Sequence, residues 1–522
     1  MKKTKNIYIF IVVLAISLTA CTEDFMERTN PNEVDGEIFF NSVDNFDLAL
    51  TGVYSGWNAF ELYGGDFMNK VLYALARTSD QDFTASPAWN AMHKHDLQDN
   101  NFILRNVWRS FYRIIYRAND VLENAEIFMQ ENELSATNQS RMEEIIAEAK
   151  FNRAYAYFHL IRLFGEGHPA TDASKQGVPL ILTVAQSREE MNVPRASIGE
   201  IYTQIELDLN DAANGLPESW DDDNIARATS WAAIALRGKV MLFQEKWDQA
   251  KTDIENIIFN GPFRLVSHED YQFLFHEEIK FSEESIWELS FATDMVVAPF
   301  AGGMSSIHPL IIAPRGAGWH NLFVHDENIR RFGDDPRLKI IAREPGVDSV
   351  YTSDGKVVLE ASPNGDLGWS FKKYTPLFAS VFETNQNYGA NYIKMRLADF
   401  YLMYAEILNE QGQDFEAAEY MNKVRRRAYG LDTETPAPEV DYNVTGISLR
   451  DSIREERFRE LFGEGHRWYD IARWRIAEEE ADRYQSVSSG PITFSGDHNY
   501  YMPIHIDELD FNSEMLQSEG YD

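Results

Sequence analysis

The chain has 522 residues, 44% of them hydrophobic and 25% charged, the balance of a soluble globular protein. Its formal net charge of −35 disfavours nucleic acid, anionic lipid and heavily sulfated or uronate-rich glycans as partners, unless a local basic patch intervenes. A single cysteine excludes an internal disulfide framework, while 11 tryptophans leave ample rings for stacking.

In chain order, Lys2, Lys3 and Lys5 precede an apolar run from Ile7 to Leu18. That run falls short of the about 20 residues that a permanent span needs. It suits the apolar core of a secretory signal with a basic flank. Leu18-Thr19-Ala20-Cys21 resembles a bacterial lipobox, which implies cleavage before Cys21 and lipidation of its sulfur. Several acyl chains on one residue anchor stably where one would be marginal. Residues 1–20 are thus read as a lipoprotein signal peptide and 21–37 as a lipidated, acidic tether. No later apolar run approaches a membrane span, so the membrane is reached only through the N-terminal lipid.

From about Ile38 the pattern turns helical. Asn45 to Gly56 is amphipathic. Asn106 to Gln130 carries apolar residues at helical spacing, and Asn138 to Phe164 reads as a second long helix, stopped by Gly165 and Pro169. Two later stretches share the frame of a tetratricopeptide repeat. In the first, Gly238 and Ala250 are the small residues where two antiparallel helices touch; in the second, Ala405 and Ala417 take the same places. Lying far apart in the chain, the two hairpins must pack together across the intervening segment. That segment, about 263–391, is rich in Gly and Pro, with short runs such as SIWELSF and KVVLEA, and reads as loops and short strands. Long loops on a helical scaffold usually carry function.

Further blocks carry a family resemblance. IREERFRELFGEGHRWYDIARW (Ile453 to Trp474) resembles the C-terminal signature of the SusD/RagB family of surface nutrient-binding lipoproteins. AKFNRAYAYFHLIRLFG, RATSWAAIALRGKVMLFQEKWDQA and RLADFYLMYAEILNEQG follow the family order, and the ending from Tyr500 resembles its closing segment, with Pro503-Ile504-His505 in place of the usual PIP. The resemblance implies a mainly α fold: one domain over 38–522, with a tetratricopeptide-like helical scaffold at about 38–262 and 392–522 and a loop-rich ligand-side insertion at about 263–391. It also implies an outer-membrane lipoprotein facing the cell exterior. Such a protein captures an oligosaccharide or polysaccharide and delivers it to a SusC-like TonB-dependent transporter. Glu23 and Asp24 after the cysteine resemble the surface-export signals of such lipoproteins.

The resemblance places the ligand face in the region after the first helix and in the central insertion. Candidate ligand-binding residues there are Trp57, Tyr63, Asp66, Arg77, Asp80, Trp89, Asn90, Trp319, His320 and Asn321, with Trp369 and Tyr374 nearby. A sugar ring lays its C–H faces on aromatic rings, and its hydroxyls need amide, carboxylate or guanidinium partners. SPAWN and GAGWHN each set a tryptophan beside an amide in loop-like context. Trp108, Trp231, Trp247, Trp468 and Trp474 fall within helix patterns and read as core. Within the signature, Arg467, Asp470 and Arg473 share a helical face suited to ion pairs, and Glu455 to Glu460 read as a helical charge network. No nucleophile elbow, zinc-protease motif or phosphate loop is present in the sequence. HKHD (His93 to Asp96) lacks the helical spacing of a metal pair, and neither cofactor nor metal is expected. The alternatives to a glycan binder are a glycoside hydrolase using a carboxylate pair and a binder of another nutrient such as peptides.

Overall fold

The computed structural model describes residues 39–81, 86–293, 306–314, 316–352, 354–360, 368–380, 388–484 and 492–521. The signal peptide, Cys21 and the tether lie outside the described residues. The chain is mainly helical, as its periodicity predicts. The longer helices are α1 (Val43–Ser55), α2 (Phe67–Leu75), α3 (Pro87–Lys94), α4 (Phe102–Glu131), α5 (Ala136–Phe164) and α6 (Ile198–Gly215). They continue as α7 (Ser230–Phe243), α8 (Trp247–Asn260), α9 (Leu397–Glu410), α10 (Asp414–Ala428), α11 (Gly446–Glu460) and α12 (Arg467–Trp474). The strands are short: β1 (Ser79–Gln81), β2 (Ser285–Leu289), β3 (Leu322–Val324), β4 (Ala342–Arg343), β5 (Ser370–Phe371) and β6 (Tyr392–Arg396) form antiparallel ribbons β1–β3, β2–β6 and β4–β5. Residues 349–352 and 355–358 add a further hairpin, and 176–179 pairs with 195–197. No helix among the described residues is long and apolar enough to cross a membrane.

Side-chain caps fix where the long helices begin. Asn101 accepts from the Ile103 N–H at α4, Ser135 from Asn138 at α5, and Ser197 and Glu200 form a reciprocal capping box at α6. α4 buries one stripe, including Val107, Phe111, Ile114 and Ala118. The second half of α5 is buried nearly all round, because α1, α4 and α6 all pack on it. The α7–α8 hairpin is tight: a Cβ on Gly238 would sit 3.0 Å from Asp253 Cβ and 3.2 Å from Ile254 Cγ1. Ala250, Ala405 and Ala417 are fully buried. The two hairpins do meet, α8 against α9, where the Tyr404 hydroxyl donates to Glu255 Oε1 (2.8 Å) and Gln411 Nε2 to Asp248 Oδ1 (2.9 Å).

The signature segment is buried and charged. Arg396 Nη1 lies 2.7 Å from both Glu284 and Glu460, and its Nη2 lies 2.7 Å from Glu464. Arg427 reaches Glu284 (3.0 Å) and Glu460 (2.5 Å), Arg337 reaches Glu456 (2.7 Å) and Glu460 (3.1 Å), and Lys373 reaches Glu464 (2.8 Å). None of these eight side chains is more than 2% exposed. The pairs therefore run between elements, not along one helix as spacing alone suggests. Arg473 does pair with Asp470 (2.9 Å), but Arg467 turns to Glu480 (3.0 Å), and Asp470 is shared with Arg457 (3.1 Å).

Burial pushes the Glu460 carboxyl up, yet Arg427, Arg396 and Arg337 together outweigh it and hold the group well below the usual range. Glu480 behaves likewise: burial opposes, Arg467 and Arg331 prevail, and its pKa falls from 4.5 to about 2.

Two outcomes follow from these buried ion pairs. Arg396→Ala leaves four buried carboxylates facing three cations and destabilises the fold by about 3–5 kcal/mol, read by urea unfolding. Unchanged stability would mean the cluster contributes nothing. A carboxyl with a depressed folded pKa contributes stability above its unfolded value and loses it as pH falls through the folded one. For Glu480 that window runs from 4.5 down to about 2, so the melting temperature drops steeply across it. A flat profile in acid contradicts the assignment.

Candidate functional site

The β1–β3 register pairs Ser79 with Val324, Asp80 with Phe323 and Gln81 with Leu322. The chain leaves β1 after Gln81 and enters β3 at Leu322, so both connections lie at the same end of the ribbon. One leads to SPAWN at the start of α3, and the other brings in GAGWHN. The two tryptophan segments, over 200 residues apart in sequence, are thus directed to one end of one ribbon. Trp319 is held by its own backbone: its N–H donates to the Leu310 carbonyl (2.6 Å), and that of Asn321 to Ile311 (2.8 Å). A Cβ on Gly318 would stand 2.7 Å from both Ala313 Cβ and the Leu310 oxygen, so glycine is required for this approach. His320 adopts φ 54° and lies against Phe323. The Trp319 side chain is left 41% exposed.

The half-buried Trp89 ring meets Phe67 edge-on at 5.5 Å, with the Lys70 ammonium 5.0 Å over its face. Phe67 also meets Phe60 (5.6 Å) and Phe102 (6.4 Å), the latter 39% exposed. Trp369 runs beside β3, where its carbonyl accepts from Val324 (3.0 Å), and it packs with Phe60 on the small core under β3 and β5. Trp89, Asn90, Trp319, His320 and Asn321 therefore lie at the surface or just beneath it, with Trp89 in an aromatic patch with Phe60, Phe67 and Phe102. Sequence reasoning missed Phe60, Phe67, Lys70 and Phe102. The signal for Phe67 and Lys70 was their i, i+3 spacing on the helix preceding β1.

Five of the sequence candidates belong to the interior. Trp57 is fully buried, donating its indole N–H to Asn152 Oδ1 (2.7 Å) and packing on Tyr155 and Phe111. Tyr63 is 1% exposed, beneath the Lys394 ammonium at 3.8 Å. Burial lowers the Lys394 pKa to about 7, with Asp66 opposing. Asp66 is fully buried, 2.6 Å from His308 Nδ1, and accepts from Asn69 Nδ2 (2.8 Å). Arg77 and Asp80 sit under the ribbon at 1% exposure each; burial lowers the Arg77 pKa to about 10, and Asp80 lies 4.0 Å from His325. The Arg77 carbonyl accepts from Asn328 Nδ2 (2.7 Å), and Asn328 accepts from the Tyr484 hydroxyl (2.6 Å). The Arg77–Asn328–Tyr484 bonds brace the ribbon from below. Tyr374 is buried as well. Loop context misled here, since partners distant in sequence decide burial.

His93 and His95 are also interior, bonded to the Trp89 and Leu75 carbonyls (3.1 and 2.9 Å), and no cluster of three metal-ligating side chains occurs among the described residues. Of the helix tryptophans, Trp108 and Trp468 are buried, while Trp231, Trp247 and Trp474 are half-buried.

Comparison with known proteins gives the family. The family model described as "SusD family" matches residues 313–521, and that described as "Starch-binding associating with outer membrane" matches residues 24–242. The chain belongs to the SusD family. SusD-like protein P25 of Formosa agariphila is 26% identical over 99% of both chains. Among solved structures, a SusD homolog from Bacteroides thetaiotaomicron superposes with a TM-score of 0.77 at 22% identity, covering 94% of this chain and 99% of its own. A laminarin-binding SusD-like protein superposes with a TM-score of 0.74 at 24% identity, covering 92% of this chain and all of its own. At these identities the superpositions show the fold alone.

The geometry separates core from surface tryptophans. Trp57→Ala opens a cavity and orphans Asn152, costing about 3–5 kcal/mol, whereas Trp319→Ala changes stability by no more than about 0.5 kcal/mol. Equal effects on the denaturation midpoint would refute the placement.

Proposed function

We propose that this SusD-family protein is an outer-membrane lipoprotein, anchored through Cys21 and facing the cell exterior. In this reading it binds a glycan at the end of the β1–β3 ribbon and passes it to a SusC-like TonB-dependent transporter without altering it. The reading is supported by two tryptophan segments that join the same end of the β1–β3 ribbon, one carrying Trp89 beside Phe67 and the other the exposed Trp319, each with an amide one or two residues on, at Asn90 and Asn321. Exposed rings suit the apolar faces of sugars, and amides suit their hydroxyls. The net charge of −35 favours a neutral glycan at this face. A structurally similar family member binds laminarin, which makes laminarin the first polysaccharide to test. The whole-chain match to SusD-like relatives supports the transporter partner, because a lipid-anchored binder needs a membrane-spanning protein to take its ligand inward.

Calorimetry against laminarin and a panel of neutral oligosaccharides tests the site. Trp89→Ala and Trp319→Ala each weaken binding by roughly fivefold or more, equivalent to about 1 kcal/mol per ring. Ligand also shields Trp319 from acrylamide quenching. Folded variants that bind like the parent would displace the site from the ribbon. New reducing ends after prolonged incubation would replace the binder with a glycosidase.

Cys21→Ser abolishes lipidation and releases the protein from the outer-membrane fraction. Retention of that variant after a high-salt wash would refute the anchor.

A further inference from the structure

A pocket of about 390 Å³ opens where helix ends meet: the loop after α5, the α7–α8 turn, the last turns of α9 and α12, and the first half of α11. It shares no residue with the ribbon site, and Trp247 and Trp474 stand in its wall. Four arginines line it, in a chain of net charge −35. Two are matched: Arg473 holds Asp470 (2.9 Å) and Glu406 (2.5 Å), and Arg475 holds Asp497 (2.9 Å). Arg450 and Arg454 are not. They lie one turn apart on α11, and neither makes an ion pair or side-chain hydrogen bond with any described residue. The Nε of each is shut off from solvent with no acceptor. The Arg454 guanidinium lies 4.9 Å over the Trp474 ring. Burial lowers the Arg454 pKa; Glu406 opposes, while Arg450 and Arg473 add to the shift.

The acidic groups of the pocket do not serve these two arginines. Glu406 is taken by Arg473 and by the Trp474 indole N–H (2.8 Å). Asp172 accepts the His168 backbone N–H (2.9 Å), Glu245 stands 3.8 Å from His168 Nε2, and Glu410 is exposed at the rim. Two like charges at i, i+4 repel. Holding them together in a half-closed pocket is unfavourable unless something anionic lies between them. Elsewhere in this fold, deeply buried guanidiniums such as Arg337, Arg396 and Arg427 have carboxylate partners. The guanidinium fork matches planar or tetrahedral oxyanions through paired N–H donors.

We propose that Arg450 and Arg454 bind an oxyanion, the carboxylate or sulfate group of an acidic sugar or the free inorganic ion, with Trp247 and Trp474 walling the site. This does not rest on the glycan reading of the ribbon, and its failure leaves that reading standing.

Calorimetry of the full chain in low-chloride buffer uses inorganic sulfate, glucuronate and glucose as probes. The expected result is saturable one-site binding of sulfate or glucuronate, none of glucose with this dependence on the arginines, and about tenfold or greater weakening in the double variant Arg450→Gln/Arg454→Gln. Binding also weakens with added salt. Glucuronate bound far more tightly than sulfate identifies the sugar as the source; the reverse identifies the free ion. Should the double variant fail to fold, Arg450→Lys keeps the charge, loses the fork, and is expected to weaken sulfate binding with an unchanged melting temperature. Absence of binding by both anions, or a folded variant that binds like the parent, overturns the proposal.

Discussion

The structure depends on a charge-balanced cluster sealed from water. Glu284, Glu456, Glu460 and Glu464 face Arg337, Arg396, Arg427 and Lys373, and each carboxylate has a cationic partner within hydrogen-bond distance. Such pairs do not add much net stability over a hydrophobic core, because desolvation offsets the Coulomb gain. What they impose is register. Glu284, Arg337 and Lys373 come from the irregular central segment, and the rest from β6, α10, α11 and Glu464 in the turn after α11. A segment with few regular hydrogen bonds and only short ribbons is thereby fastened to a stiff helical frame. The same linkage explains why the signature is rich in Glu and Arg: its charges are spent on one another.

The ribbon site inherits its rigidity from this arrangement. β3 is covered on its inner side by Ile307, Ile311, Phe332 and Phe371, which pack on Phe458 and Phe462 next to the ion cluster. Beneath β1, the Arg77–Asn328–Tyr484 network supplies polar support. Asp66, Arg77 and His320 all hold positive φ, an uncommon backbone state for such residues, and all three flank this face. Surface rings on such a base are preorganised, so a ligand need not pay to order them.

Much of the frame was legible in the sequence, and for identifiable reasons. Helical periodicity located α4 and α5 to within a few residues, since each buries a long stripe and begins at a side-chain cap. The paired small residues Gly238/Ala250 and Ala405/Ala417 marked the hairpins, because close helix approach tolerates little else. The site was only half legible. A tryptophan near glycine or proline looks exposed, and for Trp319 that holds. For Trp57 it fails, because Asn152 and Tyr155, about 95 residues on, close over it. Spacing likewise read Glu456 and Glu460 as members of a helical charge network, in need of cations. It placed those cations on the same helix, whereas Arg337, Arg396 and Arg427 reach them across the fold.

The charge distribution sharpens what each face is able to bind. The chain carries 48 lysines and arginines against 83 acids, and many of those cations are already neutralised inside the fold. The surface therefore presents a field that repels a long polyanion before any contact forms. Fields of exposed charges decay over about 8 Å at physiological salt. An unmatched arginine pair recessed in a pocket thus acts only on groups that enter it. Under those conditions a single acidic terminus or a small ion reaches the pair, while a densely sulfated chain is turned away. A protein can in this way be strongly acidic overall and still hold one anion, provided the cations that hold it are few, close together and walled in. Arg450 and Arg454, beside the indoles of Trp247 and Trp474, meet those conditions.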